Sequence, residues 1–256
     1  RVGMQPGPEA HIDPMARTVQ QAPEPPTPGE ARTVPAKREE LTVLNAPRSQ
    51  QAEQFRGLRN SIQALNPDGA SHTLVVTSAL RGEGKTVVSM NLAAALAELP
   101  GTEVLVLDTD LHNPSLEELL ELPRRQGLTE VLRGRLSLDQ AIRQTSIEGV
   151  SIMGAGEIPR NPSELLGSDR MRTVLDRLRQ RYSYVILDTP AAATISDPSL
   201  LAAMADGILL VVRLGETPRH FVQQTINTLE ALGGNILGTC LTGAHETDTS
   251  RGYAAS

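Results

Sequence analysis

The chain has no tryptophan, two phenylalanines and three tyrosines, which excludes a core built on stacked rings. Its interior must come from Leu, Val, Ile and Ala, the residues that fill parallel sheets covered by helices. A single cysteine, Cys240, excludes an internal disulfide and suits a reducing compartment. No run approaches the roughly twenty apolar residues needed to span a bilayer. No signal peptide is visible either, so any membrane association is expected to come through a partner. An excess of positive charge is also missing: 24 Lys and Arg against 30 Asp and Glu give −6, which argues against a general nucleic-acid binder.

Proline is present but unevenly spread. Eight of the 18 prolines fall before Lys37, in a stretch with little apolar periodicity. Such a segment buries too little surface to offset its ordering entropy. Residues 1–39 are therefore expected to form a disordered Pro-rich tail or linker, residues 40–245 one folded domain, and residues 246–256 a flexible tail carrying Tyr253.

The most informative stretch is Ala79-Leu80-Arg81-Gly82-Glu83-Gly84-Lys85-Thr86. It follows the apolar run Thr73–Thr77 and precedes the helical pattern of Val87–Glu98, so it stands at a strand-to-helix turn. There Gly82 and Gly84 allow backbone N–H groups to point inward, and a helix N-terminus adds positive character. Residues from Arg81 to Val87 are the expected phosphate-binding segment: Arg81, Gly82, Glu83, Gly84, Lys85, Thr86 and Val87. Lys85 is placed to reach terminal phosphates and the Thr86 hydroxyl to ligate Mg²⁺. The usual pattern begins with Gly, and this one begins with Ala79. A glycine-rich turn with an exposed lysine is the competing reading.

Two further apolar runs end in carboxylates. Val104–Leu107 leads to Asp108-Thr109-Asp110, and Tyr184–Leu187 leads to Asp188. Carboxylates at the carboxyl ends of buried parallel strands face the crevice where such sheets bind ligands, and one of them can hold hydrated Mg²⁺ opposite a phosphate loop. Strand patterns at 150–153, 207–213 and 236–241 alternate with helical patterns at 169–181, 198–205 and 220–232. The expected fold class is α/β: a P-loop NTPase with a mainly parallel sheet and helices on both faces. Leu41–Leu44 reads as an edge strand, residues 117–122, 128–133 and 138–144 as short helices, and Ser163 as a helix cap.

A helix over residues 50–65 is predicted to turn Phe55, Leu58, Ile62 and Leu65 to one side, with Glu53 and Arg56 opposite and Arg59 at the border. The 169–181 helix carries Arg170, Arg172, Arg177, Arg179 and Arg181 on its outer side. That is a solvated face, or a surface for an acidic partner or anionic lipid. Tyr182 and Tyr184 open a core strand and are expected to pack.

Together these motifs resemble the MinD/ParA-like superfamily of P-loop ATPases and, within it, the bacterial tyrosine kinases of capsule and exopolysaccharide synthesis, the CpsD/CapB type. The resemblance runs from about residue 41 to residue 243 and includes Asn161-Pro162-Ser163-Glu164-Leu165-Leu166. It implies ATP and Mg²⁺ as cofactors and tyrosine phosphorylation, including autophosphorylation, as the reaction. Catalytic roles fall to Lys85, Asp108, Asp110 and Asp188, and metal binding to Thr86, Asp108 and Asp188. Asp108 is the residue expected to orient or deprotonate the attacking hydroxyl. Glu53, Arg56 and Arg59 would mediate assembly into a ring, Tyr253 would be the phosphoacceptor, and a membrane-spanning polysaccharide co-polymerase would be the activating partner. That partner would hold a cytoplasmic kinase at the inner face of the membrane. Three departures stand out: His112 where the family has Arg, Ala191 where it has a second Pro, and one tyrosine in the tail where it has a cluster. The alternatives are an ATPase switch of the MinD/ParA type and a nucleotide-binding regulatory module without transfer.

Overall fold

The computed structural model describes residues 40–243. The proline-rich segment 1–39 and the tail with Tyr253 lie outside the described residues.

The chain enters through a four-residue helix α1, Thr42–Asn45, not the edge strand expected there. Leu41 and Val43 are buried and Thr42 and Leu44 less so, which imitates the two-residue period of a strand. The segment is instead fastened to a helix side chain: Asn91 Nδ2 donates to the Glu40 carbonyl and Asn91 Oδ1 accepts from the Val43 N–H at 3.0 Å. Helix α2, Gln50–Ala64, is N-capped by Ser49, whose hydroxyl accepts from the Ala52 N–H. It buries Ala52 and Ile62 and half-buries Phe55 and Leu58, whereas Leu65 stands past its end and is exposed.

The sheet begins with β1, His72–Ser78, followed by α3, Lys85–Ala97, and β2, Val104–Asp108. Three short helices come next: α4 (Leu116–Leu119), α5 (Leu128–Leu132) and α6 (Leu138–Ala141). The last stops earlier than its apolar pattern suggests, because Arg143–Gln144 forms β3, an antiparallel pair with β4, Val150–Met153. Helix α7, Pro162–Leu166, and α8, Asp169–Arg179, lead into β5, Tyr184–Ala191. Helix α9 (Asp197–Ala202), β6 (Gly207–Arg213), α10 (Arg219–Ala231) and β7 (Ile236–Thr242) complete the order.

The seven strands run β3-β4-β2-β5-β1-β6-β7, and every pair except β3–β4 is parallel. The central strands are apolar on both sides because both faces are covered. Leu74, Val76, Val106 and Ile186 pack toward α3, and Val75, Leu105, Val185 and Leu187 pack with α5 and α8 on the other side. Alternation of side chains along each strand produces this division. On α8, Met171, Val174, Leu175 and Leu178 are buried as its period predicts. Arg179 leaves the arginine face, since its guanidinium donates to Thr73 Oγ1 and the Met204 carbonyl. Tyr184 is buried, and Tyr182 packs against the core.

Candidate functional site

Strand order brings the site together. β5 lies between β1 and β2, with Asp188 opposite both Val76 and Asp108 in register. The carboxyl ends of three sequence-distant strands therefore meet, as parallel α/β sheets require of a ligand crevice. A cleft of about 320 Å³ opens there, lined by Arg81 from the β1–α3 turn, Lys85 and Thr86 from the start of α3, Asp110 and Ser115 after β2, and Asp188 in the second half of β5.

The turn is held open by two glycines in the left-handed region, Gly82 at φ 79° and Gly84 at φ 92°. Gly84 is the N-cap of α3, so the first N–H groups of that helix have no intrahelical acceptor. Among the described residues no acceptor takes the backbone N–H groups from Arg81 to Val87. That is the donor array an oxyanion cluster requires.

Glu83 points the other way and does not line the cleft. It is 2% exposed, and its carboxylate accepts from the Leu80 N–H at 2.8 Å and from Thr217 Oγ1. Thr242 Oγ1 donates to its carbonyl. Of the expected phosphate-binding residues, Glu83 thus contributes its backbone and uses its side chain to brace the loop against the 213–217 turn.

Thr86 Oγ1 donates to Asp188 Oδ2 at 2.6 Å and lies 2.8 Å from Ser115 Oγ, while Ser89 Oγ donates to Asp188 Oδ1 at 3.2 Å. Burial pushes the Asp188 carboxyl up to about 6, against the hydrogen bonds from Thr86 and Ser89 and the charge of Lys85. A cation beside it would restore the charged form. The donors here are hard oxygens, which suits Mg²⁺. Among the described residues no group of three or more His, Cys, Asp or Glu is placed to hold an ion alone. Phosphate oxygens and water would have to complete the coordination, the usual condition for Mg²⁺ at a nucleotide.

Asp108 and Asp110 take different positions. Asp108 is 1% exposed and its oxygens accept from the backbone N–H groups of Asp110, Ser115 and Leu116 at 3.0–3.1 Å. Burial, then the charge of Asp188, hold its carboxyl well above the usual range. Asp110 lines the cleft, and its Oδ1 accepts from the His112 and Asn113 N–H groups. Both carboxylates shape the loop, and Asp110 is the one the cleft reaches.

His112, where the resemblance leads one to expect Arg, sits 2.9 Å through Nε2 from Asp197 Oδ2. Asp197 is fully buried at the start of α9, and its other oxygen accepts from Ser163 Oγ. Ser163 therefore does not cap α7, where Asn161 occupies the cap position. It ties the Asn161–Leu166 segment to α9. Sequence reading missed Asp197 and Ser115: the first carries no motif, and the second stands five residues beyond the Asp108-Thr109-Asp110 run.

The residues expected to form a ring, Glu53, Arg56 and Arg59, bond within the chain. Arg56 donates to Glu98 through Nε and Nη2, Arg59 Nη1 donates to Glu98 Oε2 at 3.0 Å, and Glu53 pairs with Arg56. Glu98, at the end of α3, is the hub of this network, and no sequence motif marks it. Tyr253 lies outside the described residues.

The family described as AAA domain matches residues 72–236. Tyrosine-protein kinase YwqD of Bacillus subtilis is 32% identical over 203 residues, covering 79% of this chain and 85% of that protein. Succinoglycan biosynthesis transport protein ExoP of Rhizobium meliloti is 32% identical over 212 residues, but this chain spans only 27% of its length. The solved kinase domain of Escherichia coli tyrosine kinase ETK superposes with a TM-score of 0.77 at 31% identity, covering 85% of this chain and 83% of that one. The phosphate loop, the two acidic strand ends and these likenesses over nearly the whole folded region agree: the chain belongs to the bacterial tyrosine-protein kinases of capsule and exopolysaccharide synthesis, built on a P-loop α/β fold.

Proposed function

We propose that this chain transfers the γ-phosphoryl group of ATP to protein tyrosines, its own tail included, and so regulates capsular or exopolysaccharide synthesis and export. The observation that carries the reading is the convergence of Lys85, Thr86, Asp110 and Asp188 in one cleft beneath unspent backbone N–H groups. In phosphoryl transfer, positioning and charge neutralisation supply most of the catalysis. Lys85 and the N–H groups of the turn would neutralise the β- and γ-phosphates. Thr86 and Asp188 would hold the Mg²⁺, which supplies charge neutralisation and orients the phosphates.

An incoming tyrosine hydroxyl has an ordinary pKa near 10 and needs an acceptor within hydrogen-bond reach. Asp110 faces the cleft and fills that role. Asp108, bound to three backbone N–H groups, keeps the loop carrying Asp110 in place. Arg81 at the cleft mouth adds charge toward the leaving nucleotide. Tyr253 is the phosphoacceptor offered by the chain itself.

A membrane-spanning polysaccharide co-polymerase is the partner proposed, and the inner face of the membrane the location. Among the described residues no helix is long and apolar enough to cross a bilayer. The match to one segment of the much longer ExoP supports a kinase module working with a transport component. Ring assembly would draw on Glu53, Arg56 and Arg59.

An ATPase switch of the MinD/ParA type is the second reading. Its signature lysine would stand five residues before Lys85, where this chain has Leu80, and that disfavours it. Phosphosite mass spectrometry after incubation with ATP, Mg²⁺ and the co-polymerase tests the proposal. Phosphotyrosine is expected in the wild type and absent from Lys85→Met. Nucleotide turnover with no phosphotyrosine selects the switch.

A further inference from the structure

A second concave site lies away from the nucleotide cleft. The turn after α5, the start of α6 and the outer face of α8 enclose a cavity of about 620 Å³. Four guanidiniums line it, those of Arg135, Arg170, Arg177 and Arg181, against one carboxylate, Asp139. Asp139 pairs with Arg181. Arg135 has only a 4.0 Å contact with Glu157, and no ion pair among the described residues occupies Arg170 or Arg177, both exposed. A local balance of +3 on a chain of net −6 is not the average surface.

The backbone accommodates this arrangement. Gly134 has φ 72°, and a Cβ there would stand 2.5 Å from Arg170 Nη2. Glycine suits the positive φ, and the guanidinium lies against the turn. The lining also includes the partly exposed Leu136, backed by the largely buried Val131 and Val174, and Thr173. Uncommitted guanidinium forks favour a phosphate dianion, which each can bind in two places. A hydrophobic wall beside them favours a ligand whose phosphate is carried on an apolar ring. A flat bilayer would meet the rim of such a concavity more readily than its wall.

We infer that this groove binds a phosphotyrosine side chain in a peptide, as an exosite that retains phosphorylated product or recruits a phosphorylated partner. Arg170 and Arg177 take the phosphate, and Leu136, backed by Val131 and Val174, packs on the ring. The choice of a tyrosyl ester rests on the kinase reading above, whereas the phosphate site rests on the groove itself.

The test is fluorescence anisotropy with a labelled peptide of residues 248–256 phosphorylated on Tyr253, its unphosphorylated twin and a twin with phosphoserine at that position. Saturating ADP and Mg²⁺ are present, so that the nucleotide cleft does not compete. The wild type is expected to bind the phosphotyrosine peptide at least about tenfold more tightly than either twin. Arg170→Glu/Arg177→Glu should lose that affinity at least about tenfold with an unchanged thermal melt, since both side chains are exposed. Lys85→Met should bind as the wild type does. Equal binding of phosphorylated and unphosphorylated peptide, or unaltered binding by the double variant, overturns the inference. Equal binding of the phosphoserine twin removes the role of the apolar wall and with it the tyrosyl assignment. Vesicles containing 30% phosphatidylglycerol form the last arm: charge-dependent vesicle binding without phosphopeptide binding makes the groove a membrane surface instead. Peptide binding with no tyrosine phosphorylation by the chain would sink the kinase reading and leave the phosphate site standing.

Discussion

Thr86 Oγ1 and Asp188 Oδ2 are joined by a 2.6 Å hydrogen bond between residues 102 positions apart, which ties the first turn of α3 to the second half of β5. The hydroxyl that would ligate Mg²⁺ and the carboxylate that would hold the ion are thus already in contact. Thr86→Ala removes one and unmoors the other. Tyrosine phosphorylation should fall by roughly 100-fold, as loss of a charge-organising contact does, and Thr86→Ser should restore most of it. A Thr86→Ala enzyme within about threefold of wild type would place the ion elsewhere.

Asp188 also predicts a pH effect on stability. Its folded carboxyl titrates near 6, above the unfolded value near 4. The folded state therefore binds the proton more tightly, and stability from this group falls as pH rises from about 4 to about 6. Without Mg²⁺, Asp188→Asn should raise the melting temperature at pH 8 by several degrees, an effect on the order of 1–3 kcal/mol, and much less at pH 4. Scanning calorimetry in EDTA at the two pH values decides it, and a lower melting temperature for the variant at pH 8 contradicts the account.

Gly84 makes a separate prediction, because the N-cap of α3 sits at φ 92°. Alanine there costs about 1–2 kcal/mol of backbone strain. It also turns the N–H array away from the cleft. Gly84→Ala should lower the melting temperature by roughly 2–8 °C and weaken nucleotide binding at least about tenfold, read by calorimetric titration. Wild-type affinity would detach phosphate binding from this turn.

Glu98 accepts from both Arg56 and Arg59 and so competes for the two residues proposed to join subunits. The Arg56 hydrogen bond lowers its carboxyl below the usual glutamate range, so its contribution is present near neutral pH and lost as pH falls through the folded value. Glu98→Ala should cost at most about 1 kcal/mol, as partly exposed pairs do. It should leave or increase the oligomer mass, whereas Arg56→Ala/Arg59→Ala should reduce it, both measured by light scattering. A monomeric wild type in the presence of nucleotide and co-polymerase removes the ring.

Asp197, fully buried between Ser163 and His112, is a structural tie that no motif announces. Asp197→Ala orphans the Ser163 hydroxyl and is expected to destabilise by about 2–4 kcal/mol, while Asp197→Asn should cost less. Urea unfolding distinguishes them, and equal stability of all three proteins would contradict the tie.

Sequence legibility followed the range of the interaction. The phosphate turn was readable because Gly82, Gly84, Lys85 and Thr86 act through local backbone geometry. The two apolar runs ending in Asp announced parallel strands, and alternation with helical patterns announced the sheet. The Leu41–Leu44 segment was misread because its conformation is imposed by Asn91, some 50 residues on. Arg143–Gln144 continued a helical pattern, yet an open sheet edge captured it. Asp108 and Asp110 look equivalent in sequence. Both accept from backbone N–H groups, and only the folded loop separates the buried one from the one facing the cleft.

The most direct measurement is a single-turnover reaction with excess chain, γ-labelled ATP, Mg²⁺ and the co-polymerase, followed by phosphoamino-acid analysis. The account predicts that label passes to tyrosine, that Lys85→Met leaves it on ATP, and that Asp110→Asn slows transfer more than it weakens ATP binding. Label appearing as inorganic phosphate with none on tyrosine, or on tyrosine equally in Lys85→Met, would contradict it.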